Sequence, residues 1–408
     1  MKTFEVPTIY RSELISAIKN NRRLNDKLKK DYSPTLLDFG SVQLFLARHF
    51  GFCYGVENAI EIAFKTVTEN ADKRIFLLSE MIHNPLVNEH LQQLGVQFLQ
   101  DTNGNQIIPF SFLQKDDVVL IPAFGTTLEI ENILHEKKIQ IEKYNTTCPF
   151  VEKVWNRSEQ ISAKGYTVVI HGKPQHEETR ATFSHASSHA PTVVVNNMKE
   201  TIALAKYIAH QKPLDEFYTE FKGKYSDDFD VSKHLIKIGV VNQTTQLATD
   251  TQAIADYLKN TVKDFYGLTE ENIEEHFADT RDTLCYATND NQTAVIAMLH
   301  TDADFAIVIG GYNSSNTSHL VELCEKKLPA YFIDSAEKII NADELIHCNW
   351  RTKEISTIKN FMPKGKTPRV LITSGASCPD VLVEQVIKKL VSFFPSGITV
   401  EEIYRQFL

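Results

Sequence analysis

Three of the six cysteines share one kind of local setting, although they lie far apart in the chain. Cys53, Cys148 and Cys285 each follow a tight polar turn and precede a stretch of helical character. A thiolate at a helix N-terminus is stabilised by the helix dipole and the N–H groups there, which suits a metal ligand or a nucleophile. None belongs to a CxxC pair, so a zinc ribbon or thioredoxin-type motif is not indicated. The pattern predicts one metal centre assembled from three segments.

The number of such cysteines bears on the chemistry of that centre. Three thiolates would leave one metal position open, where a substrate oxygen could bind. Cys378 is the only rival fourth ligand, because Cys324 and Cys348 fit better as small buried residues. Zinc cannot supply electrons whereas an iron–sulfur cluster can, and the cysteines alone leave both metals open.

Neutral polar residues form a second set, gathered in short segments that follow apolar runs. Hydroxyl, amide and imidazole groups at helix starts can hold a diphosphate by hydrogen bonds worth roughly 1.5–3 kcal/mol each. Helix capping explains any single one of them, but not the whole set in one chain. The residues in this set are His83 with Asn84, His176, the pair Thr244 and Thr245, Ser314, Ser315, Asn316 and Ser377.

Glu178 lies in the segment HEET and is a candidate proton donor. A carboxyl group in a turn near hydroxyls can deliver protons, an effect that contributes roughly a hundred- to ten-thousand-fold in rate. Taken alone, Glu177 and Glu178 would be explained as charged residues at the start of a helix. His185 and His189 have no ligand spacing with cysteine, and a mobile loop is expected there.

The elements that must position these residues are alternating strands and helices. Short apolar strands repeatedly give way to polar turns and amphipathic helices, which predicts an α/β fold with a largely parallel sheet. Ligands of such sheets bind beyond the carboxyl ends of the strands, where the polar segments above are expected to lie. The predicted strands are 75–78, 118–121, 168–170, 236–241, 306–309 and 370–372.

Composition limits the class of protein. With 408 residues and a formal net charge of -9, the chain can bury a large core and is not suited to neutralising nucleic-acid phosphates. The N-terminus shows neither a signal peptide nor a transit peptide, and no apolar run approaches membrane-spanning length. We therefore expect a cytoplasmic enzyme with no nucleic-acid or membrane partner. The polar leader, with its basic run at 21–30, is expected to be a solvated face or a flap.

Eight motifs in order give the chain a resemblance to the LytB/IspH family of 4-hydroxy-3-methylbut-2-enyl diphosphate reductases. The resemblance covers about residue 45 to the C-terminus, and the leader, Trp155 and HEET are similar to the longer plant and cyanobacterial branch. The motifs are GFCYGVENAI, HNPLVNEHLQQLGV, NTTCPFVEKVW, HEET, NQTTQLATDT, CYATNDNQ, GYNSSNTSHLVEL and ITSGASCPD.

The resemblance implies three α/β lobes in a pseudo-threefold arrangement around a central 4Fe–4S cluster. The implied boundaries are an N-terminal extension at 1–44, a first lobe at 45–147, a second lobe at 148–284 with a surface insertion at about 211–232, a third lobe at 285–372, and a C-terminal segment at 373–408 that packs back on the core.

The resemblance also implies roles for individual residues. Cys53, Cys148 and Cys285 match the ligands of one cluster per chain, whose fourth iron has no cysteine. Glu178 matches the proton-delivering glutamate, and Thr244 with Thr245 the hydroxyl pair that relays protons and orients substrate. The matched diphosphate contacts are His83, His176, Ser314, Asn316 and Ser377, with Ser315 beside them.

The implied reaction is the reductive dehydroxylation of 4-hydroxy-3-methylbut-2-enyl diphosphate to isopentenyl and dimethylallyl diphosphate, the last step of the non-mevalonate isoprenoid pathway. Because the chain has no GxGxxG fingerprint after a strand and no flavin signature, a ferredoxin or flavodoxin donor is implied. The alternatives are a 4Fe–4S hydro-lyase, a zinc-dependent hydrolase of a phosphorylated metabolite, and a cluster-based sensor. A sensor would need a DNA-binding or partner-binding element, which this acidic sequence does not show.

Four positions depart from the family pattern. Phe124 stands where many members have a histidine near the diphosphate, so that contact is not carried over. Asn145 replaces a common aspartate, Asn291 a common arginine, and Cys378 a usual alanine. None of the four is a matched cluster ligand.

Overall fold

The structure is a computed structural model that describes residues 4–278, 283–394 and 397–408. Its chain divides into two compact units, each made of discontinuous segments. The first unit comprises Met1–Glu61, Ile82–His90 and Tyr286–Leu408, and the second comprises Ile62–Met81 and Leu91–Cys285.

The described residues form fourteen helices longer than a 3-10 turn and fourteen strands, which alternate along much of the chain. The helices are α1 (Glu13–Asn25), α2 (Tyr54–Glu69), α3 (Pro85–Gln93), α4 (Leu128–Glu136), α5 (Pro149–Ser162), α6 (Glu177–Ser187), α7 (Met198–Ile208), α8 (Phe217–Glu220), α9 (Val231–His234), α10 (Ala248–Tyr266), α11 (Tyr286–Met298), α12 (Ser315–Glu325), α13 (Asp380–Val391) and α14 (Val400–Arg405). The strands are β1 (Thr35–Asp38), β2 (Gln43–Leu46), β3 (Ile75–Leu77), β4 (Gln97–Phe98), β5 (Val118–Leu120), β6 (Thr167–His171), β7 (Thr192–Val195), β8 (Ile238–Asn242), β9 (Phe277–Ala278), β10 (Phe305–Ile309), β11 (Ala330–Ile333), β12 (Glu344–Cys348), β13 (Ile355–Lys359) and β14 (Arg369–Ser374).

The first unit contains a five-stranded sheet in the order β1-β2-β14-β10-β11. Only the β1–β2 pair is antiparallel; β2, β14, β10 and β11 run parallel. All five residues of β10 are buried, as expected for a central parallel strand covered on both faces. Strands β12 and β13 form a separate antiparallel hairpin, which the sequence analysis did not predict.

The second unit contains two parallel sheets, in the orders β4-β3-β5 and β7-β6-β8-β9. Strands β6 and β8 are buried along their whole length. The six strands predicted from the sequence are all present, with ends shifted by one or two residues. The predicted α/β class with parallel sheets is confirmed, whereas the lobe boundaries stay a prediction.

The cysteine turns lead into helices, as predicted. Helix α2 begins directly after Cys53, α5 directly after Cys148, and α11 directly after Cys285. Cys148 is the N-cap of α5, and Pro149 at the first helical position is pre-organised for a helix start.

Two segments expected at the surface contribute to cores instead. In the leader, α1 buries Leu14, Ile15 and Ile18, because apolar residues recur on one face of this otherwise polar helix. In the segment predicted as an insertion, Phe217 stacks on Phe221 and Phe229 with ring centroids 5.0 and 5.2 Å apart, and all three are buried. Aromatic area drives their burial, while the neighbouring acidic residues stay at the surface.

Within the three described ranges, no helix is both long enough and apolar enough to cross a bilayer.

We expect the stability of the first unit to depend on pH because of His49. Burial lowers its pKa from 6.5 to about 4; the charge of Asp290 opposes this shift, and the charge of Arg48 adds to it. The unfolded chain takes up this proton near pH 6.5 and the folded chain only near pH 4, so stability present at neutral pH is lost as the pH falls through that window. Since the ring is partly exposed, we expect His49→Gln to reduce the loss by about 1–2 kcal/mol at pH 4.

Urea denaturation at pH 7 and pH 4 measures this difference. His300→Gln, at an exposed position, is the matched control. Equal acid-induced losses in the His49 variant and the parent would contradict the assignment.

Candidate functional site

Glu178 is a buried carboxylate held by Thr244. It lies in the first turn of α6 and is 2% exposed. Its Oε1 accepts a hydrogen bond from the Thr244 N–H at 2.5 Å, and its Oε2 accepts one from Thr244 Oγ1 at 3.0 Å. Because one threonine engages both oxygens, the orientation of the carboxylate is fixed.

Sheet register explains why these two residues meet. Strands β6 and β8 are parallel neighbours, and His171 at the end of β6 lies opposite Asn242 at the end of β8. Glu178 follows β6 and Thr244 follows β8, so both lie beyond the same sheet edge. The Cys285 N–H donates to the Thr244 carbonyl at 3.2 Å, which brings Cys285 to this edge as well.

The thiol of Cys148 interacts electrostatically with Cys285 and Glu178. Its N–H donates to the Ala123 carbonyl at 2.9 Å. Burial raises the pKa of its thiol to about 12, and Cys285 and Glu178 add to the rise. The second unit therefore brings two of the predicted cysteines, both partly exposed, close to the predicted acid.

His176 is the N-cap of α6. Its Nδ1 accepts a hydrogen bond from the Glu178 N–H at 3.2 Å, so in the neutral ring the proton is on Nε2, which can donate. The ring of Phe124, the residue that departs from the family pattern, packs against His176 edge to face with centroids 5.7 Å apart. Phe124 thus positions the imidazole although it cannot bind an anion.

Gln243 is a positioning residue that the sequence analysis missed. It is fully buried, and its Oε1 accepts from Thr179 Oγ1 at 3.1 Å and from the Lys173 N–H at 3.2 Å. Its Nε2 donates to Thr245 Oγ1 at 2.8 Å, so Gln243 sets the position of that predicted substrate-binding residue. The only sequence signal was its place beside Thr244 after a strand.

Cys53 in the first unit is tied to the loop after β14. Its N–H donates to the Ala376 carbonyl at 3.1 Å. The Ala376 N–H in turn donates to Asn316 Oδ1 at 2.9 Å. Asn316, which is buried in the first turn of α12, therefore contacts the same residue of this loop as Cys53 does.

The other predicted anion-binding residues of the first unit meet at that loop. Ser377 Oγ donates to the His83 carbonyl at 3.1 Å. Gly311 lies so close to this carbonyl that an added Cβ would be 2.3 Å from its oxygen. Ser314 caps α12, accepting from the Thr317 N–H at 3.2 Å. Strands β10 and β14 end opposite one another and bring these segments together.

Three departures from the family pattern also have structural roles. Asn145 Oδ1 accepts from the Thr147 N–H at 2.9 Å, so the amide orders the turn before Cys148. Asn291 Nδ2 donates to Asn316 Oδ1 at 3.4 Å. Cys378 is fully buried and burial raises its pKa to about 12, which makes it an inert thiol.

The cysteines at helix starts fit the ligands of an iron–sulfur cluster by type and local setting. All six cysteines carry thiols. Within the described residues, no group of three or more His, Cys, Asp or Glu side chains is arranged to hold a single metal ion. The cysteines of a 4Fe–4S cluster each bind a different iron atom, so they need not converge on one point.

His185 lies in α6 rather than in a loop, so that expectation was wrong. Its ring stacks on Trp155 with centroids 3.8 Å apart. Stacking on Trp155, rather than binding to a metal, explains the position of the His185 ring.

Thr244→Val removes the hydroxyl bond to Glu178 while keeping the shape and the backbone N–H. Loss of one partner of a buried hydrogen bond costs roughly 1–3 kcal/mol, so we expect the free energy of unfolding to fall by about that amount. Thr261→Val is the matched control, because Thr261 Oγ1 donates to the Tyr257 carbonyl at 2.9 Å on an exposed part of α10. Equal losses in the two variants, measured by urea denaturation, would contradict the role given to Thr244.

The sequence of this chain matches a known protein family. Residues 44–391 match the family model described as LytB protein. A protein from Crocosphaera subtropica named 4-hydroxy-3-methylbut-2-enyl diphosphate reductase is 39% identical over 394 residues, which is 96% of this chain and 92% of the relative.

Solved structures agree in fold. The E-1-hydroxy-2-methyl-but-2-enyl-4-diphosphate reductase from Plasmodium falciparum is similar with a TM-score of 0.60 at 22% identity, over 85% of this chain and 87% of that chain. A second structure, titled (E)-4-hydroxy-3-methyl-but-2-enyl diphosphate reductase, the terminal enzyme of the non-mevalonate pathway, is similar with a TM-score of 0.51 at 25% identity, over 86% of this chain and 99% of that chain. The chain belongs to the LytB protein family.

Proposed function

We propose that this protein is a 4-hydroxy-3-methylbut-2-enyl diphosphate reductase. It removes the substrate hydroxyl reductively, giving isopentenyl and dimethylallyl diphosphate in the last step of the non-mevalonate pathway. Family membership supports this reaction. The observation that carries the proposal is the buried Glu178 carboxyl group, whose two oxygens are held by Thr244, the residue that also accepts a hydrogen bond from the Cys285 N–H.

The proposed cofactor is one 4Fe–4S cluster held by Cys53, Cys148 and Cys285. The residues present fit such a group, because each of the three thiols lies at the start of a helix, where N–H groups and the helix dipole stabilise a thiolate. When bound, the cluster supplies the electrons and one iron without a cysteine ligand for the hydroxyl oxygen.

Substrate orientation is the proposed task of the neutral polar residues. Serine hydroxyls, asparagine amides and histidine rings donate hydrogen bonds to a charged diphosphate, and several together hold it firmly. Binding at this distant end fixes the hydroxyl carbon in place for reaction. The residues given this role are His83, His176, Thr245, Ser314, Ser315, Asn316 and Ser377.

Glu178 is the proposed proton donor to the departing hydroxyl. At 2% exposure it is shielded from bulk water, so its proton goes to a bound group rather than to solvent. Thr244 accompanies it, because a hydroxyl 3.0 Å from Oε2 can pass a proton on by exchanging its donor and acceptor roles.

The electron donor is the proposed partner of this enzyme. Reduction of the substrate consumes two electrons, and the sequence has no dinucleotide-binding fingerprint that would supply them. A small external donor, ferredoxin or flavodoxin, meets this need.

Anaerobic purification followed by iron and sulfide analysis, with turnover of the hydroxymethylbutenyl diphosphate, tests the proposal. We expect a coloured protein whose turnover depends on a low-potential reductant. A colourless, zinc-loaded and active protein would contradict the cluster. Turnover without reductant would point to a hydro-lyase instead.

Glu178→Gln keeps the size of the side chain and removes the proton. We expect kcat to fall by about a hundred- to ten-thousand-fold, while iron content and substrate affinity stay close to those of the parent. Single-turnover kinetics with a chemical reductant measure the change. The control is Glu177→Gln, the adjacent buried carboxylate, which accepts from Ser79 and has no proposed part in the reaction. Near-normal kcat in Glu178→Gln would remove this residue from the mechanism.

A further inference from the structure

An ion pair between the leader and the C-terminal segment lies against the turn that carries Cys53. Lys19 on α1 and Asp380 at the start of α13 are 361 positions apart, and their Nζ and Oδ1 atoms are 2.7 Å apart. Their side chains are 32% and 20% exposed, so the pair is largely shielded from solvent. Asp380 also stabilises the N-terminus of α13 through the helix dipole.

The pair contacts the backbone two residues before Cys53. Gly51 has φ +81°, a conformation that favours glycine. A Cβ added there would lie 2.6 Å from Asp380 Oδ1 and 2.9 Å from Lys19 Nζ, so both charged groups approach the glycine directly. The Lys19 ammonium also lies 4.5 Å from the ring centroid of Phe50, the residue before it.

The loop after β14, which leads to Asp380, also contacts Cys53 itself. The Cys53 N–H donates to the Ala376 carbonyl at 3.1 Å, and Ala376 lies four residues before Asp380. Among its contacts, the Cys53 turn therefore has a backbone hydrogen bond at Ala376 and the ion pair at Gly51.

We propose that Lys19 and Asp380 are positioning residues for Cys53, so that the leader helix helps to hold the cysteine in place. This assignment rests on the proposed function for its purpose, since a cluster ligand must be held in one geometry. The contacts that support it do not depend on the cofactor. The leader, expected from the sequence to be a solvated face or a flap, has a specific task in the first unit.

Alkylation of the cluster-free protein tests the proposal. Iodoacetamide labelling of each cysteine is followed by peptide mass spectrometry in the parent, Lys19→Ala, Asp380→Asn and Lys19→Arg. A partly exposed ion pair contributes up to about 1 kcal/mol, so we expect Cys53 to be labelled about twofold to fivefold faster in the first two variants. Lys19→Arg keeps the pair and should label like the parent.

Two internal controls separate positioning from general destabilisation. Cys148, Cys285 and the buried Cys324 should keep their parental rates. Lys259→Ala, which removes a similar 2.7 Å pair with Glu270 in the second unit, should leave the Cys53 rate unchanged. An unchanged Cys53 rate in both test variants, or the same acceleration at every cysteine, would overturn the proposal.

The cofactor-loaded protein provides a second readout. We expect Lys19→Ala to alter the electron paramagnetic resonance spectrum of the reduced protein, with Lys19→Arg restoring the parental spectrum. If the parent assembles no cluster, the proposed function fails while the alkylation result still decides the positioning role.

Discussion

Parallel strand pairing is the constraint on which the rest of the structure depends. In the second unit β6 and β8 end side by side, and in the first unit β10 and β14 do the same. Neighbouring parallel strands finish at the same edge, so the turns and helix starts that follow them must lie close together. Glu178 meets Thr244 for this reason, and the loop that holds Cys53 meets the start of α12 for the same reason.

Burial of polar groups at these edges has an energetic cost that the fold offsets with hydrogen bonds. Both side-chain oxygens of Glu178 accept from Thr244, and Gln243 links four further backbone or side-chain groups. These hydrogen bonds restrict the side chains to one favourable arrangement. Burial also raises the pKa of the Cys148 thiol to about 12, while the backbone N–H groups of Phe150 and Val151 at the start of α5 act in the opposite direction.

Much of the site could be predicted from local sequence. A cysteine, a turn and an amphipathic stretch predict a ligand at a helix start, and Cys53, Cys148 and Cys285 all precede helices. Apolar runs followed by polar turns likewise predicted β6, β8, β10 and β14. These signals are local, because helix starts and strands depend mainly on residues close in sequence.

Other features depend on residues far apart in sequence and could not be predicted. Gln243 resembles any polar residue in a turn until Thr179 and Lys173 lie beside it. The aromatic residues of the segment at 211–232 are accompanied by charges that suggest a surface, yet three of them stack in a core.

The amino-acid sequence by itself determined the family and the alternation of strands and helices, and it supplied candidates for binding metal and diphosphate. Tertiary structure decided which residues meet within each unit: Glu178 with Thr244, Ser377 with His83, and Lys19 with Asp380. The physical reason is the sequence separation over which each kind of interaction acts. Helix capping and hydrophobic periodicity act over a few residues, whereas a hydrogen bond between residues 361 positions apart exists only after the chain has folded.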